Sequence, residues 1–220
     1  HGKLTNMTYT CTAPLGKTLL MQLRDLFHKD SPRWGCMFDI FMFSGVRAME
    51  GLRLKVSHVA IPVEDIEMTW IDGDCALYEM RKGIGHRYEA REDILVYTTK
   101  QNVGPRKAIR NVAMAPITKK SIEAYLNSFE KPIGPDDWMF PGQETHLQYQ
   151  TALDKLKLNC KKLKITEAVI GGKIGFHMIR KSFSLALYQT LGSNYEAAMK
   201  VRRELGHSSI ETTYRYIGIK

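Results

Sequence analysis

Long hydrophobic runs are missing from this sequence of 220 residues. No stretch approaches the roughly eighteen consecutive apolar residues of a membrane-spanning helix, and no charged-then-apolar leader opens the chain. Cysteine is scarce. Cys11, Cys36, Cys75 and Cys160 stand too far apart for a CxxC metal knuckle or redox pair. Their scatter suits a reducing compartment in which thiols serve as small core residues. There is no internal repeat and no low-complexity tract, which excludes a repeat architecture. Acidic residues are outnumbered, 23 against 32 Lys and Arg, for a net charge of +9 and a pI near 9.3. That excess points to an anionic partner, of which nucleic acid is the commonest, although a basic protein without a polyanion partner has the same count.

What is present suits one globular domain, with 44% hydrophobic residues to fill a core. The chain begins His-Gly, so residues 1–14 read as an N-terminal linker or cloning remnant, and 15–220 as the folded unit. Leu19, Leu20, Leu23, Leu26 and Phe27 fall at helical spacing and predict a helix over Leu15 to Lys29. Ser31-Pro32 breaks it, and Trp34 to Met49 predicts a buried helix interrupted near Ser44-Gly45. From Val56 to Met114 the texture is β-like. Cys75 to Met80 follows an Asp-Gly turn, Arg81 to Arg91 reads as a polar loop, and Ile94 to Thr99 with Ala108 to Met114 predicts a hairpin. Helices follow over Ile117 to Phe129, Thr145 to Leu163, Phe176 to Leu191, Tyr195 to Leu205 and Ser208 to Tyr214. The expected class is therefore α+β, mostly helical, with a small antiparallel sheet near residues 56–114.

The chemistry-bearing residues concentrate in the last third. His177-Met178-Ile179-Arg180 is H-x-x-R on a predicted helix, whose i, i+3 spacing puts both side chains on one face. Alone it would be an ordinary surface pair. It is followed by Leu205-Gly206-His207 and, nine residues after His207, by Tyr216. Here the sequence resembles the tyrosine recombinase (phage integrase) family, whose late motifs run H-x-x-R, L-G-H and a tyrosine nine residues on. Earlier landmarks stand in family order. Ser44-Gly45-Val46-Arg47-Ala48-Met49-Glu50-Gly51-Leu52 resembles the T-G-[LM]-R-x-x-E block, Tyr97 to Lys100 fits the hairpin lysine, and Trp138-Met139-Phe140-Pro141 resembles the L-F-P segment.

The resemblance implies a catalytic domain that cuts and rejoins DNA through a covalent 3′-phosphotyrosine, with no metal, cofactor or ATP. Arg47 and Arg180 would clamp phosphate oxygens, since guanidinium stays charged and binds them bidentately. His207 would donate a further hydrogen bond. A tyrosine nucleophile, mostly protonated at its free pKa of about 10, needs a base or a cationic field, and His177 would accept its proton. Lys100 would protonate the leaving 5′ oxygen, with Arg106 and Lys107 as rivals on the same hairpin. Tyr214 competes with Tyr216, but the nine-residue offset favours Tyr216 and leaves Tyr214 as a packing residue. Arg47, Lys100, Arg180 and His207 would also be DNA contacts, and Glu50 would buttress Arg47. The family acts on specific sites in double-stranded DNA as a homotetramer in the cytoplasm of prokaryotes, with no membrane association.

Three departures stand out. Lys181 follows Arg180 where many relatives have His, a position outside the core catalytic set and so of small expected effect. The Arg180 to His207 stretch is a few residues longer than expected. Only four residues follow Tyr216, where relatives carry a segment that packs on a neighbouring protomer. The N-terminal core-binding domain of the family has no counterpart here, so weak DNA binding is expected of these residues alone. Readings that stay open are a telomere resolvase or type IB topoisomerase with the same chemistry, and a catalytically silent DNA-binding accessory relative. His58, His86 and His146 lie in no motif and are expected to face solvent. Met37, Met42 and Met49 are expected as core filler. Lys119-Lys120 and Lys161-Lys162 are expected on solvated helix faces.

Overall fold

A computed structural model describes residues 12–63, 67–71, 75–79, 87–97, 109–129 and 133–219. The first helix, α1 (Lys17–Asp30), buries Leu20, Leu23 and Phe27, the stripe its periodicity predicts. Ser31 separates it from α2 (Pro32–Ser44). The Ser31 hydroxyl accepts the Trp34 amide at 3.3 Å, and Pro32 enters at the first turn, where a missing N–H costs nothing. Apolar nearly all round, α2 is the centre of the fold and packs against α1, α4 (Pro116–Leu126) and α7 (Phe176–Thr190). Asp39, wholly buried within it, is paired rather than stranded. Arg24 donates to it at 2.7 Å, His28 Nε2 lies 2.9 Å away, and the Ser121 hydroxyl of α4 donates as well. Gly45 ends α2 in the left-handed conformation (φ 60°), and the short α3 (Ala48–Leu52) follows.

Among the described residues, the middle of the chain forms three two-stranded antiparallel pairs. These are β1 (Ala60–Val63) with β4 (Arg87–Ala90), β2 (Glu67–Ile71) with β3 (Cys75–Glu79), and β5 (Asp93–Tyr97) with β6 (Ile109–Ala113). β4 lies inside the stretch expected to be a loop. Its sequence, Arg-Tyr-Glu-Ala, offers one core residue: Tyr88 is buried and donates its hydroxyl to the Ile133 carbonyl. The β5–β6 pair is the expected hairpin, with Tyr97 opposite Ile109.

The chain then returns to helices: α4, α5 (Tyr149–Lys162), the four-residue α6 (Glu167–Ile170), α7, α8 (Tyr195–Leu205) and α9 (Ile210–Ile217). α5 starts four residues later than expected. The residues before it are used in a tight turn, where the Gly142 amide donates to Thr145 at 2.6 Å and Pro141 bridges His146. α9 runs past Tyr214 to Ile217, so Tyr216 is on the helix. Two cores result. The main one gathers α1, α2, β1, β4, β5, β6, α4, α5 and the start of α7. A second, of Ala198, Val201, Leu205 and Ile217 with Phe183 and Tyr214 against them, fastens α9 to α7 and α8. Tyr214 is thus a packing residue.

Cys36 and Cys160 are buried free thiols, and Met37 is fully buried. Neither His58 nor His146 simply faces solvent. His58, half-buried, accepts the Lys55 amide at 3.1 Å and packs on the Tyr97 ring; His146, also half-buried, packs on Trp138 and accepts from Arg53 at 3.2 Å. Burial lowers the pKa of both below the usual 6.5. His86 lies outside the described residues.

Candidate active site

Two helix ends create the site. α2 stops at Gly45 and α8 stops at Gly206, both left-handed, and Arg47 and His207 follow just after. A side chain from α7 joins these ends. Arg180 is 1% exposed. Its Nη1 donates to the Gly45 carbonyl and its Nη2 donates to the Leu205 carbonyl at 2.6 Å, so one guanidinium brackets segments far apart in sequence. Its Nε has no partner among the described residues. Burial foremost, then repulsion from Arg47, pulls its pKa down to about 10; Tyr216 and Glu50 act the other way. At neutral pH the group therefore remains charged.

Arg47 is held at the start of α3. Its backbone N–H donates to Glu50 Oε2 at 3.0 Å and its Nη1 donates to Glu50 Oε1 at 2.8 Å. The Glu50 side chain is buried, whereas that of Arg47 keeps about a quarter of its surface open (24%). The same carboxylate meets a second guanidinium: Arg110 Nη2, from β6, lies 3.5 Å from Oε2. Arg110 Nη1 donates to the Glu204 carbonyl near the end of α8.

His207 is buried, with Nδ1 3.0 Å from the Thr213 hydroxyl of α9. Its ring sits 4.7 Å from the Tyr216 ring in an edge-on arrangement. The Tyr216 hydroxyl is 3.3 Å from His177 Nδ1. Arg180 Cζ and Lys181 Nζ stand 5.9 Å and 5.7 Å from the centre of the Tyr216 ring, the range of cation–π attraction. Burial, then the fields of Arg180, Arg47 and Lys181, lowers the His177 pKa below the usual 6.5, although the residue as a whole is exposed. A neutral imidazole beside a phenol can accept its proton. The structure thus brings Arg47, His177, Arg180, His207 and Tyr216 together. Lys100 and its rivals Arg106 and Lys107 lie outside the described residues.

Residues 17–220 match the family described as the phage integrase family. This chain belongs to the phage integrase family. A search of curated proteins found no match. Among solved structures, this integrase-family chain is similar to XerA recombinase (19% identity, TM-score 0.64, covering 97% of this chain and 62% of that one). It is also similar to XerH site-specific recombinase bound to its difH substrate in a pre-cleavage complex (20%, TM-score 0.63, 97% and 52%). A third is a lambda integrase dimer bound to a COC′ core site (11%, TM-score 0.59, 98% and 50%). These likenesses establish the fold, a mostly helical domain with small antiparallel sheets. The chain spans 50% to 62% of the length of those proteins. Among the described residues, no helix is long and apolar enough to cross a membrane, and no cluster of His, Cys, Asp or Glu is arranged to hold a metal.

Two residues at this integrase-family site make contacts that their sequence positions do not suggest. Lys181 was expected to matter little. It stands over the Tyr216 ring and donates to the Thr12 carbonyl at 2.6 Å. Arg110 belongs to no quoted motif; the only sequence signal for it is a charged residue in an otherwise uncharged strand.

Proposed function

We propose that this chain cleaves and rejoins double-stranded DNA through a 3′-phosphotyrosine at Tyr216, as a site-specific recombinase or integrase. The observation that carries the reading is the 3.3 Å approach of the Tyr216 hydroxyl to His177 Nδ1, beside Arg180 and His207, within one chain. Family membership and the DNA-bound relatives XerH and lambda integrase support the same partner, a specific duplex site.

His177 takes the phenolic proton as the Tyr216 oxygen attacks the scissile phosphorus. The new P–O bond to tyrosine forms as the bond to the 5′ oxygen breaks, and Lys100 supplies the proton that the leaving oxygen needs. Negative charge grows on the nonbridging oxygens in between. Arg47, Arg180 and His207 stabilise it, in a reaction where positioning and electrostatics supply most of the catalysis. These cations make a metal unnecessary for that task. Because the phosphotyrosine stores the energy of the broken linkage, a second 5′ hydroxyl reverses the step without ATP. Residues 15–220 form the catalytic unit, and the working assembly is a tetramer on two duplexes.

The test uses nicked suicide duplexes from the ends of the chain's own element, which trap the intermediate when the cut fragment diffuses away. Wild type yields a DNA–protein adduct on a denaturing gel, and Tyr216→Phe does not. No wild-type adduct, despite specific and salt-sensitive binding, would point instead to a catalytically silent accessory protein. Relaxation of supercoils without exchange between duplexes would point to a topoisomerase.

A further inference from the structure

Arg110 takes no part in the steps above, yet it touches three parts of the site. It sits on β6, paired with β5, the strand that leads towards Lys100, with Arg110 itself opposite Val96. Its Nη1 binds the Glu204 carbonyl, three residues before His207, and its Nη2 faces the carboxylate that holds Arg47. Its stem covers the next turn: a Cβ added at Gly206 would meet Arg110 Cδ and Nε at 3.4 Å. The side chain is largely enclosed (15% exposed).

The charges give this arrangement a consequence. Glu50 alone would neutralise Arg47, the guanidinium left open towards a phosphate. With Arg110 on the same carboxylate, two cations share one anion, and the group keeps one net positive charge. The carboxylate is buried, so solvent screens little of this balance. Arg110 also lowers the pKa of Arg180, a sign that its field reaches the rest of the site.

We propose that Arg110 is a positioning residue for the strand-cleavage reaction, sharing Glu50 so that Arg47 retains its charge for the phosphate, and bracing the turn that presents His207. The inference rests on the recombinase reading. Arg110 acts on the nonbridging oxygens through Arg47 and His207, and not on the leaving group.

The experiment compares wild type, Arg110→Met and Arg110→Lys as full chains. The readouts are duplex affinity, thermal midpoint and the single-turnover rate of adduct formation. The adduct rate falls by about tenfold or more in Arg110→Met, and by less in Arg110→Lys, at duplex affinity within about twofold of wild type. A substrate with sulfur in place of the 5′ bridging oxygen needs no protonation of its leaving group, and it does not restore the Arg110→Met rate. Restoration would place Arg110 behind Lys100 and overturn the proposal. Equal adduct rates in all three proteins would overturn it while leaving the recombinase reading intact. Affinity, thermal midpoint and rate falling together in both variants would assign a purely structural role and overturn it as well. Absence of a wild-type adduct would overturn the underlying reading, and this inference with it.

Discussion

Arg180→Lys separates charge from geometry. The lysine keeps the positive charge, so the burial cost and the repulsion from Arg47 persist. What it cannot keep is the fork that donates to the Gly45 and Leu205 carbonyls at once. A single ammonium reaches one of them and leaves the other buried without its donor. An unsatisfied buried acceptor costs about 1–3 kcal/mol. In a chain of this length each kcal/mol moves the thermal midpoint by about 2–4 °C, so a loss of about 4–8 °C is expected for the middle of that range. The same substitution weakens a clamp on the developing charge and slows adduct formation by about a hundredfold or more. Circular dichroism melting and single-turnover trapping on the same preparations read the two effects. A midpoint within about 1 °C of wild type would refute the bracket, because at least one lost buried bond must register. A stable variant that cleaves at the wild-type rate would refute the clamp.

Two further outcomes follow from the geometry. Gly45 is left-handed, and an added Cβ would run into the Phe183 ring and lie 3.0 Å from Leu205 Cδ2; Gly45→Ala is expected to cost about 2–4 kcal/mol in denaturant unfolding, and an unchanged midpoint would contradict this. Because burial, and then the fields of Arg180, Arg47 and Lys181, lower the pKa of His177 below the usual 6.5, the imidazole is already neutral at pH 7. The adduct rate should therefore stay level on acidification to about pH 6.5 and fall only below it. The linkage has the same sign: as pH falls through the ordinary histidine range the unfolded chain binds the proton first, so stability drops there too. An acid limb centred above pH 6.5 would contradict the assignment of His177 as the base.

Much of this was legible in the sequence because the signals are local. The Leu20, Leu23 and Phe27 stripe gives α1, Ser31-Pro32 gives the break, and H-x-x-R gives a shared helix face. His177 and Arg180 do both approach Tyr216. β4 was hidden for a physical reason. A strand with one buried residue between Arg and Glu has no hydrophobic period to detect, and it exists because β1 pairs with it on one side while the side chains of Asn127 and Glu123 accept the outward amides of Tyr88 and Ala90 on the other. The late start of α5 was equally hidden, since Thr145 to Gln148 are helix-compatible residues drawn instead into the tight turn that bridges His146 to Pro141 and bonds Leu147 to Phe140. The same limit applies at the site. Nothing within several residues of Arg110 reveals that a carboxylate sixty positions earlier is its partner, nor that Lys181 lies over a ring from another helix. The wholly buried state of Arg180 is also nonlocal, produced by two helix ends that converge on it.

The central claim is that Tyr216 is the nucleophile, and the most direct measurement is peptide mapping of the trapped adduct by mass spectrometry after nuclease digestion. The account predicts a 3′-nucleotide phosphate on Tyr216, with Tyr214 unmodified. A modification on Tyr214, or on any other residue, would contradict it.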